Sequence, residues 1–272
     1  MTTSAASSVF AILSALVEER AGLHYGQGEQ EIFLDRVATR AEEAGFDSLL
    51  DYYYYLRYDP EGSRELDDLV AQLVVNETYF FRELEPLRLV VSRFVQPLVR
   101  LGRRPRIWSA ACATGEEPLT LAMLLEQAGL LSQVDLVASD ISQRALDVAR
   151  AGSFSRRSLR DNVDPELARR WLREEGGKVR VDAALIAAVD WQRVNLCVAS
   201  EAAAIGRCDV ILCRNVLIYF RDETVVGVIE RLSSQLKSNG VLLVGVSESL
   251  LRFGTVLVCE EADQVFFYRK VS

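Results

Sequence analysis

The 272-residue chain contains a single histidine, His24. That scarcity argues against a hydrolase built on imidazole and against a multi-histidine metal centre, and no metal site is expected. His24, in a glycine-flanked stretch near the N-terminus, is expected to be structural or exposed. Cysteines stand only at 112, 197, 208, 213 and 259, with neither CxxC spacing nor the density of a disulfide framework. A reduced, cytoplasmic protein is expected, each thiol serving as a small buried apolar group. No apolar run approaches the roughly 20 residues of a membrane span, so membrane insertion is not expected. Residues 9–17 are apolar but follow no basic stretch, and their spacing predicts an amphipathic helix, not a signal peptide. Lysine is missing from the first 100 residues, where nine arginines face seventeen acids; the remaining 172 residues balance at 22 of each sign. The net charge of −8 therefore belongs to the N-terminal part. Nucleic acid is not an expected partner, because phosphate binding needs a basic footprint. Internal repeats and low-complexity tails are absent too.

What is present is concentrated in a few blocks. Leu66, Leu69, Val70, Leu73 and Val74 follow a helical spacing, as do Leu87, Val90, Val91, Phe94 and Leu98. Between these two core helices lies Asn76-Glu77-Thr78-Tyr79-Phe80-Phe81-Arg82-Glu83, dense in amide, hydroxyl, aromatic and guanidinium groups. A helix cap with an aromatic anchor explains part of it. The next block, Arg106 to Pro118, reads as a buried strand, a loop of small residues with one glycine, and a helix (to about Leu130) opened by two acids and a proline. Such strand–loop–helix units are where nucleotide-like ligands meet an open α/β sheet. No Gly-Lys-Ser/Thr follows, and two carboxylates would repel phosphate. A ligand with hydroxyls and positive charge suits the loop better, and S-adenosylmethionine has ribose hydroxyls, an amino group and a sulfonium.

Two further strands fit that fold. Residues 134–139 predict a strand ending at Asp140, followed by a helix over 142–150; a carboxylate there is either a ribose-hydroxyl acceptor or a helix cap. Asp209 to Phe220 predicts a buried strand that runs into polar residues at its carboxyl end. Upstream, four or five helices are expected over 7–75, with Tyr52 to Tyr55 half packed and half exposed. Downstream, residues 151–192 interrupt the alternation: Asp161-Asn162-Val163-Asp164-Pro165 is turn and helix-start chemistry, and Glu174-Glu175-Gly176-Gly177 joins a helix to an exposed strand over 178–181. Residues 241–246, 256–259 and 265–268 predict three more strands, the last two a possible antiparallel pair.

Taken together, 76–83, 107–118, 138–141, Asn195-Leu196, Cys213-Arg214-Asn215-Val216-Leu217-Ile218-Tyr219-Phe220 and 245–250 resemble the chemotaxis-receptor glutamate O-methyltransferases, the CheR family, over nearly the whole chain. The resemblance implies an α/β fold: an all-helical domain (1–85) before a Rossmann-like class I methyltransferase sheet (86–272), with a small antiparallel subdomain inserted at 151–192. It implies S-adenosylmethionine-dependent methylation of glutamate side chains on the cytoplasmic helices of a chemotaxis receptor, or a related signalling protein, with S-adenosylhomocysteine as product. The same fold acting on a non-chemotaxis protein, or holding the cofactor without turnover, is an alternative. Arg82 is expected to orient the acceptor carboxylate, which a guanidinium binds through paired hydrogen bonds; by the resemblance it also touches the cofactor, and Tyr219 closes the methyl-transfer channel. Asn76 and Thr78 contact the cofactor, Glu117 accepts from its amino group, and Asp140 holds the ribose. Asn195 and Leu196 flank the adenine, while Cys213, Arg214 and Asn215 line the pocket.

The chain also departs from the family. Leu119 stands where many members have tyrosine, and Val246 where histidine is frequent. The 175–178 connection is short against members that dock a receptor's C-terminal peptide. The acidic N-terminal part suits an acidic receptor helix poorly. Residues 150–180, with nine basic residues against five acids, either form a solvated face or contribute to docking, Arg156, Arg157 and Arg160 foremost.

Overall fold

The computed structural model describes residues 3–160 and 163–271. Asp161 and Asn162, the start of the expected turn, lie outside them. The chain forms two compact units, Met1–Val75 with Ile218–Val225, and Asn76–Leu217 with Val226–Ser272.

The first unit holds four helices, α1 (Thr3–Ala21), α2 (Gln30–Glu43), α3 (Leu49–Tyr58) and α4 (Gly62–Leu73). Their apolar stripes meet in a core of Leu13, Val17, Phe33, Val37, Tyr52, Leu56, Leu69 and Leu73. Of the tyrosine run, Tyr52 is buried, Tyr54 exposed and the other two intermediate, as a helical period demands. Glu65 ties three helices together: Arg40 grips it through Nε and Nη2 at 2.7 and 2.6 Å, and the Tyr52 hydroxyl donates to it at 2.7 Å. The 218–225 segment joins this unit by an antiparallel bridge between Leu23 and Phe220 and by the His24 N–H donating to the Tyr219 carbonyl at 2.9 Å.

The second unit begins with α5 (Leu84–Leu89) and α6 (Gln96–Arg100), separated by a π-helical turn over Val90–Val95. One even helical face was expected here. The π turn inserts an extra residue per turn and rotates the stripe, so Leu89 and Val95 are buried while Phe94 and Leu98 are only partly so. The chain continues through β1 (Arg106–Ala110), α7 (Glu116–Gln127), β2 (Asp135–Asp140), α8 (Gln143–Ala151), β3 (Ser153–Ser155), α9 (Pro165–Trp171), β4 (Leu172–Glu175), β5 (Lys178–Val181), α10 (Ala183–Ala187), β6 (Val189–Arg193), α11 (Ala199–Ala204) and β7 (Cys208–Cys213). It ends with α12 (Asp222–Gln235), β8 (Leu236–Val244), β9 (Leu257–Ala262) and β10 (Val265–Lys270).

Seven strands form one sheet in the order β6-β2-β1-β7-β8-β10-β9. Pairing is parallel from β6 to β8 and antiparallel through β10 and β9. This is the Rossmann-like methyltransferase architecture, with the expected antiparallel pair at its edge. Central β7 is buried at every residue, as a strand covered on both faces must be. The three short strands β3-β5-β4 make a separate antiparallel sheet. Here one reading is corrected: Glu174 and Glu175 do not leave a helix but belong to β4. Gly176 and Gly177, at φ +59° and +75°, close a two-residue hairpin onto β5, the signature of a type I′ turn.

Candidate active site

In the second unit, β1, β2 and β7 end level with one another, Ala110 lying opposite Ser139 on one side and Cys213 on the other. What leaves these ends builds the site. From β1 comes a loop in which Ala111, Ala113 and Gly115 all take positive φ (+55°, +49°, +93°), turning the backbone tightly before α7. Asp140 at the end of β2 fastens this loop. Its Oδ2 accepts from the Ala113 N–H at 2.8 Å and its Oδ1 from the Ser142 N–H at 2.9 Å. Burial pushes the Asp140 carboxyl above its usual range, against the pull of those backbone donors. Asp140 thus is a turn-forming residue at the start of α8, and each oxygen keeps a lone pair for a further donor. Beside it, after β6, Asn195 is buried and its Oδ1 accepts from the Cys197 N–H at 2.9 Å; Leu196 is buried next to it.

Arg214, just past β7, is the hub. Its side chain is 1% exposed. Nη1 donates to Glu117 at 2.7 Å and Nη2 to Glu83 at 2.8 Å, and Nη2 also reaches the carbonyl of Arg82 at 3.2 Å. Glu117 accepts in addition from the Ser109 hydroxyl at 2.7 Å. Burial lowers the Arg214 pKa, but the two carboxylates outweigh it and the guanidinium stays charged. For Glu83 burial is likewise the largest influence, upward, yet Arg214, Asn215 and the Val246 N–H together hold the carboxyl below its usual range. Asn215, at φ +59°, lies in the same network, its amide 3.5 Å from Glu83. The thiols of Cys112 and Cys213 are fully buried and driven well above the ordinary range, so neither is a thiolate nucleophile.

Residues 76–83 form an irregular strap, not a helix cap. Phe80 and Phe81 anchor it in the core, the Phe81 N–H donating to the Thr120 hydroxyl at 3.2 Å. Phe81 and Glu83 are left-handed, at φ +65° and +46°, a conformation that bulky side chains seldom adopt. Asn76 is exposed and Thr78 half-buried along this strap. Arg82 is also half-buried, and among the described residues its hydrogen-bond acceptor is the Glu77 carbonyl at 3.2 Å. The structure thus joins Glu117, Arg214, Asn215 and the backbone carbonyl of Arg82 in one network, with the Arg82 guanidinium turned to the Glu77 carbonyl, and Asp140 with the 111–115 loop in another. Tyr219 is different, because its segment is counted with the helical unit.

Two residues of this constellation went unassigned in the sequence. Glu83 closes the quoted block but carries no obvious role there. Glu248, 8% exposed, accepts from the N–H groups of Asn215 at 2.7 Å, Gly245 at 2.7 Å and Leu217 at 2.8 Å, and so shapes the turn after β7. Its signals were its place in the 245–250 block and an acid within a run of small and apolar residues after a buried strand. Glu83, Glu116, Glu117, Asp140 and Glu248 all belong to the segments around the strand ends, and of these Glu83 and Glu117 meet the buried Arg214 guanidinium. Among the described residues, the buried Nε of Arg214 has no hydrogen-bond partner. A site with surplus carboxylate and an unmatched donor fits a ligand that is cationic, hydroxyl-bearing and also carries an acceptor, and S-adenosylmethionine is all three.

Comparison with known proteins agrees with this chemistry. Residues 76–266 match the model of the CheR methyltransferase, SAM binding domain, and residues 8–74 that of the CheR methyltransferase, all-alpha domain. The chain belongs to the CheR methyltransferase family. It is an S-adenosylmethionine-dependent methyltransferase. Among its relatives, chemotaxis protein methyltransferase 2 of Vibrio cholerae is 35% identical over 244 residues, covering 88% of this chain and 84% of the relative. Chemotaxis protein methyltransferase 1 of Pseudomonas aeruginosa is 31% identical over 256 residues, covering 91% and 92%. The chemotaxis protein methyltransferase of Klebsiella aerogenes is 34% identical over 251 residues, covering 88% and 82%. No helix among the described residues is long and apolar enough to cross a membrane.

Proposed function

We propose that this protein methylates glutamate side-chain carboxylates on the cytoplasmic helices of a chemotaxis receptor. The observation that carries the reading is the network at the strand ends, in which Arg214 fixes the backbone of Arg82 beside a carboxylate-rich rim suited to the cofactor. Its relatives' names supply the chemotaxis context. S-adenosylmethionine, when bound, would supply a sulfonium methyl, which an acceptor oxyanion takes as the sulfur–carbon bond breaks and neutral S-adenosylhomocysteine leaves. A glutamate, with a reference pKa near ~4.3, is already that oxyanion at neutral pH. No general base is required, which is consistent with a single histidine.

The protein's own residues have other tasks. Asp140, Glu117, Asn195 and Leu196 hold the cofactor, with Asn76, Thr78, Cys213 and Asn215 bordering it. The unmatched Nε of Arg214 is the donor proposed for a cofactor acceptor. Arg82 presents a planar fork to the acceptor carboxylate, and the Tyr219 hydroxyl positions the acceptor. Orientation in general can contribute as much as roughly 7–11 kcal/mol to catalysis.

Incubation of the protein with radiolabelled S-adenosylmethionine and the host membrane fraction is expected to label receptor-sized protein in a base-labile form, as a carboxyl ester must be. Arg82→Ala and Tyr219→Phe should cut turnover by about a hundredfold or more while melting as the parent does. Arg82→Lys should recover only part, because an ammonium lacks the fork. Base-stable label, or full turnover by Arg82→Ala, would count against the reading.

A further inference from the structure

Docking was one reading of Arg160, yet its guanidinium is already engaged within the protein. Nη2 donates to the Glu77 carboxylate at 2.7 Å, and the guanidinium stacks on the Tyr79 ring, 4.3 Å from its centroid. Both partners also hold Arg82. The Glu77 carbonyl accepts from Arg82 Nη1, and the Tyr79 ring lies 5.6 Å from the Arg82 guanidinium carbon. Glu77 thus grips one arginine with its side chain and the other with its backbone, while one aromatic ring serves both. Two residues before Arg160, the Ser158 carbonyl accepts from the Phe80 N–H at 2.9 Å. The segment after β3 therefore clamps the strap from outside, as Arg214 clamps it from within.

We propose that Arg160 is a positioning residue for methyl transfer, holding Glu77 and Tyr79 so that the strap presents Arg82 in its working place. This rests on the reading of Arg82 as the residue that orients the acceptor. The ion pair is exposed, 48% at Arg160 and 64% at Glu77, so its worth to stability is small in water. The pair's weight falls on orientation. The Glu77 carboxyl lies below its usual range, chiefly through the hydrogen bond from Arg160, so the pair is intact at neutral pH. The neighbouring basic residues differ: Arg156 pairs with Glu174 at 3.1 Å, away from the strap, and Arg157 is exposed.

The test is a kinetic cycle on the full chain with radiolabelled S-adenosylmethionine and host membranes. Arg160→Ala should lower kcat about ten- to a hundredfold, the scale of a misplaced orienting group. Its melting temperature and its calorimetric affinity for S-adenosylhomocysteine should match those of the parent. Arg160→Lys, which keeps the charge but not the planar stack, should recover part of the rate. In an Arg82→Ala background, Arg160→Ala should bring no further loss, because both act through one group. Additive losses, or unchanged kcat in Arg160→Ala, would overturn the proposal. So would a rise in receptor KM alone, which would make Arg160 a docking contact. Should Arg82→Ala itself turn over normally, the reading of Arg82 falls and this role with it; should only Arg160→Ala do so, the role of Arg82 stands.

Discussion

Replacing Arg214 with alanine is expected to destabilise the second unit by roughly 3–5 kcal/mol, the usual consequence of removing one partner from a buried charge pair. Glu83 and Glu117 would be left facing each other with their guanidinium gone, at positions 22% and 15% exposed. The carbonyl of Arg82 would lose its donor as well, so activity should fall with stability. Arg214→Lys should be an incomplete substitute, since one ammonium cannot span two carboxylates and a carbonyl as the planar fork does. Adding Glu83→Gln and Glu117→Gln to Arg214→Met should restore part of the stability but not the methyl transfer, because the buried charges vanish together. Urea unfolding followed by circular dichroism measures this. A loss below about 1 kcal/mol, the scale of an exposed pair, would show that the network is not the keystone of the site.

The second large effect is expected at Gly115. Its φ of +93° costs a residue with a Cβ about 1–2 kcal/mol. The added carbon would also lie 2.7 Å from the Ala149 Cβ and 2.9 Å from the Trp191 ring. Relief of that overlap costs typically about 1–3 kcal/mol more, and it must displace the 111–115 loop or α8. Gly115→Ala should therefore lose both stability and product affinity. Gly102 provides the control. It has φ +72° and open space where the Cβ would go, so Gly102→Ala should show the backbone cost alone and bind product normally. Equal behaviour of the two variants in thermal melts and calorimetry would contradict the close packing behind the loop.

Much of this was legible in the chain. Buried parallel strands advertise themselves as short apolar runs: β2 falls within a residue of the expected 134–139, and β1 and β7 open the blocks that begin at Arg106 and Asp209. The loop after β1 was visible in its small residues, and the position of Asp140 at a strand end followed from the run before it. What stayed hidden is long-range. The burial of Arg214 depends on Glu83 and Glu117 arriving from segments far away in sequence, and local pattern does not encode such a meeting. Glu248 lay in the 245–250 block without an assigned role, and the convergence of three backbone N–H groups on it, two of them from the turn after β7, is long-range too. Strand β4 is short, charged and largely exposed, so it carries no apolar alternation by which to know it. The π turn over 90–95 cannot be read from a stripe that assumes one uniform helical period. Roles such as cofactor contact came from the family resemblance, and geometry has since given several of those residues a structural duty besides.

On the proposed reading, the carboxyl ends of β1, β2 and β7 hold the cofactor, with Asp140 among its contacts. Isothermal titration of S-adenosylhomocysteine into the parent and into Asp140→Ala tests it most directly. The parent should bind at one saturable site. The variant, if its melting remains cooperative, should bind more weakly by about 1–3 kcal/mol, the worth of a charged hydrogen bond lost from a buried site. Unchanged affinity in a folded Asp140→Ala protein would contradict this placement of the cofactor.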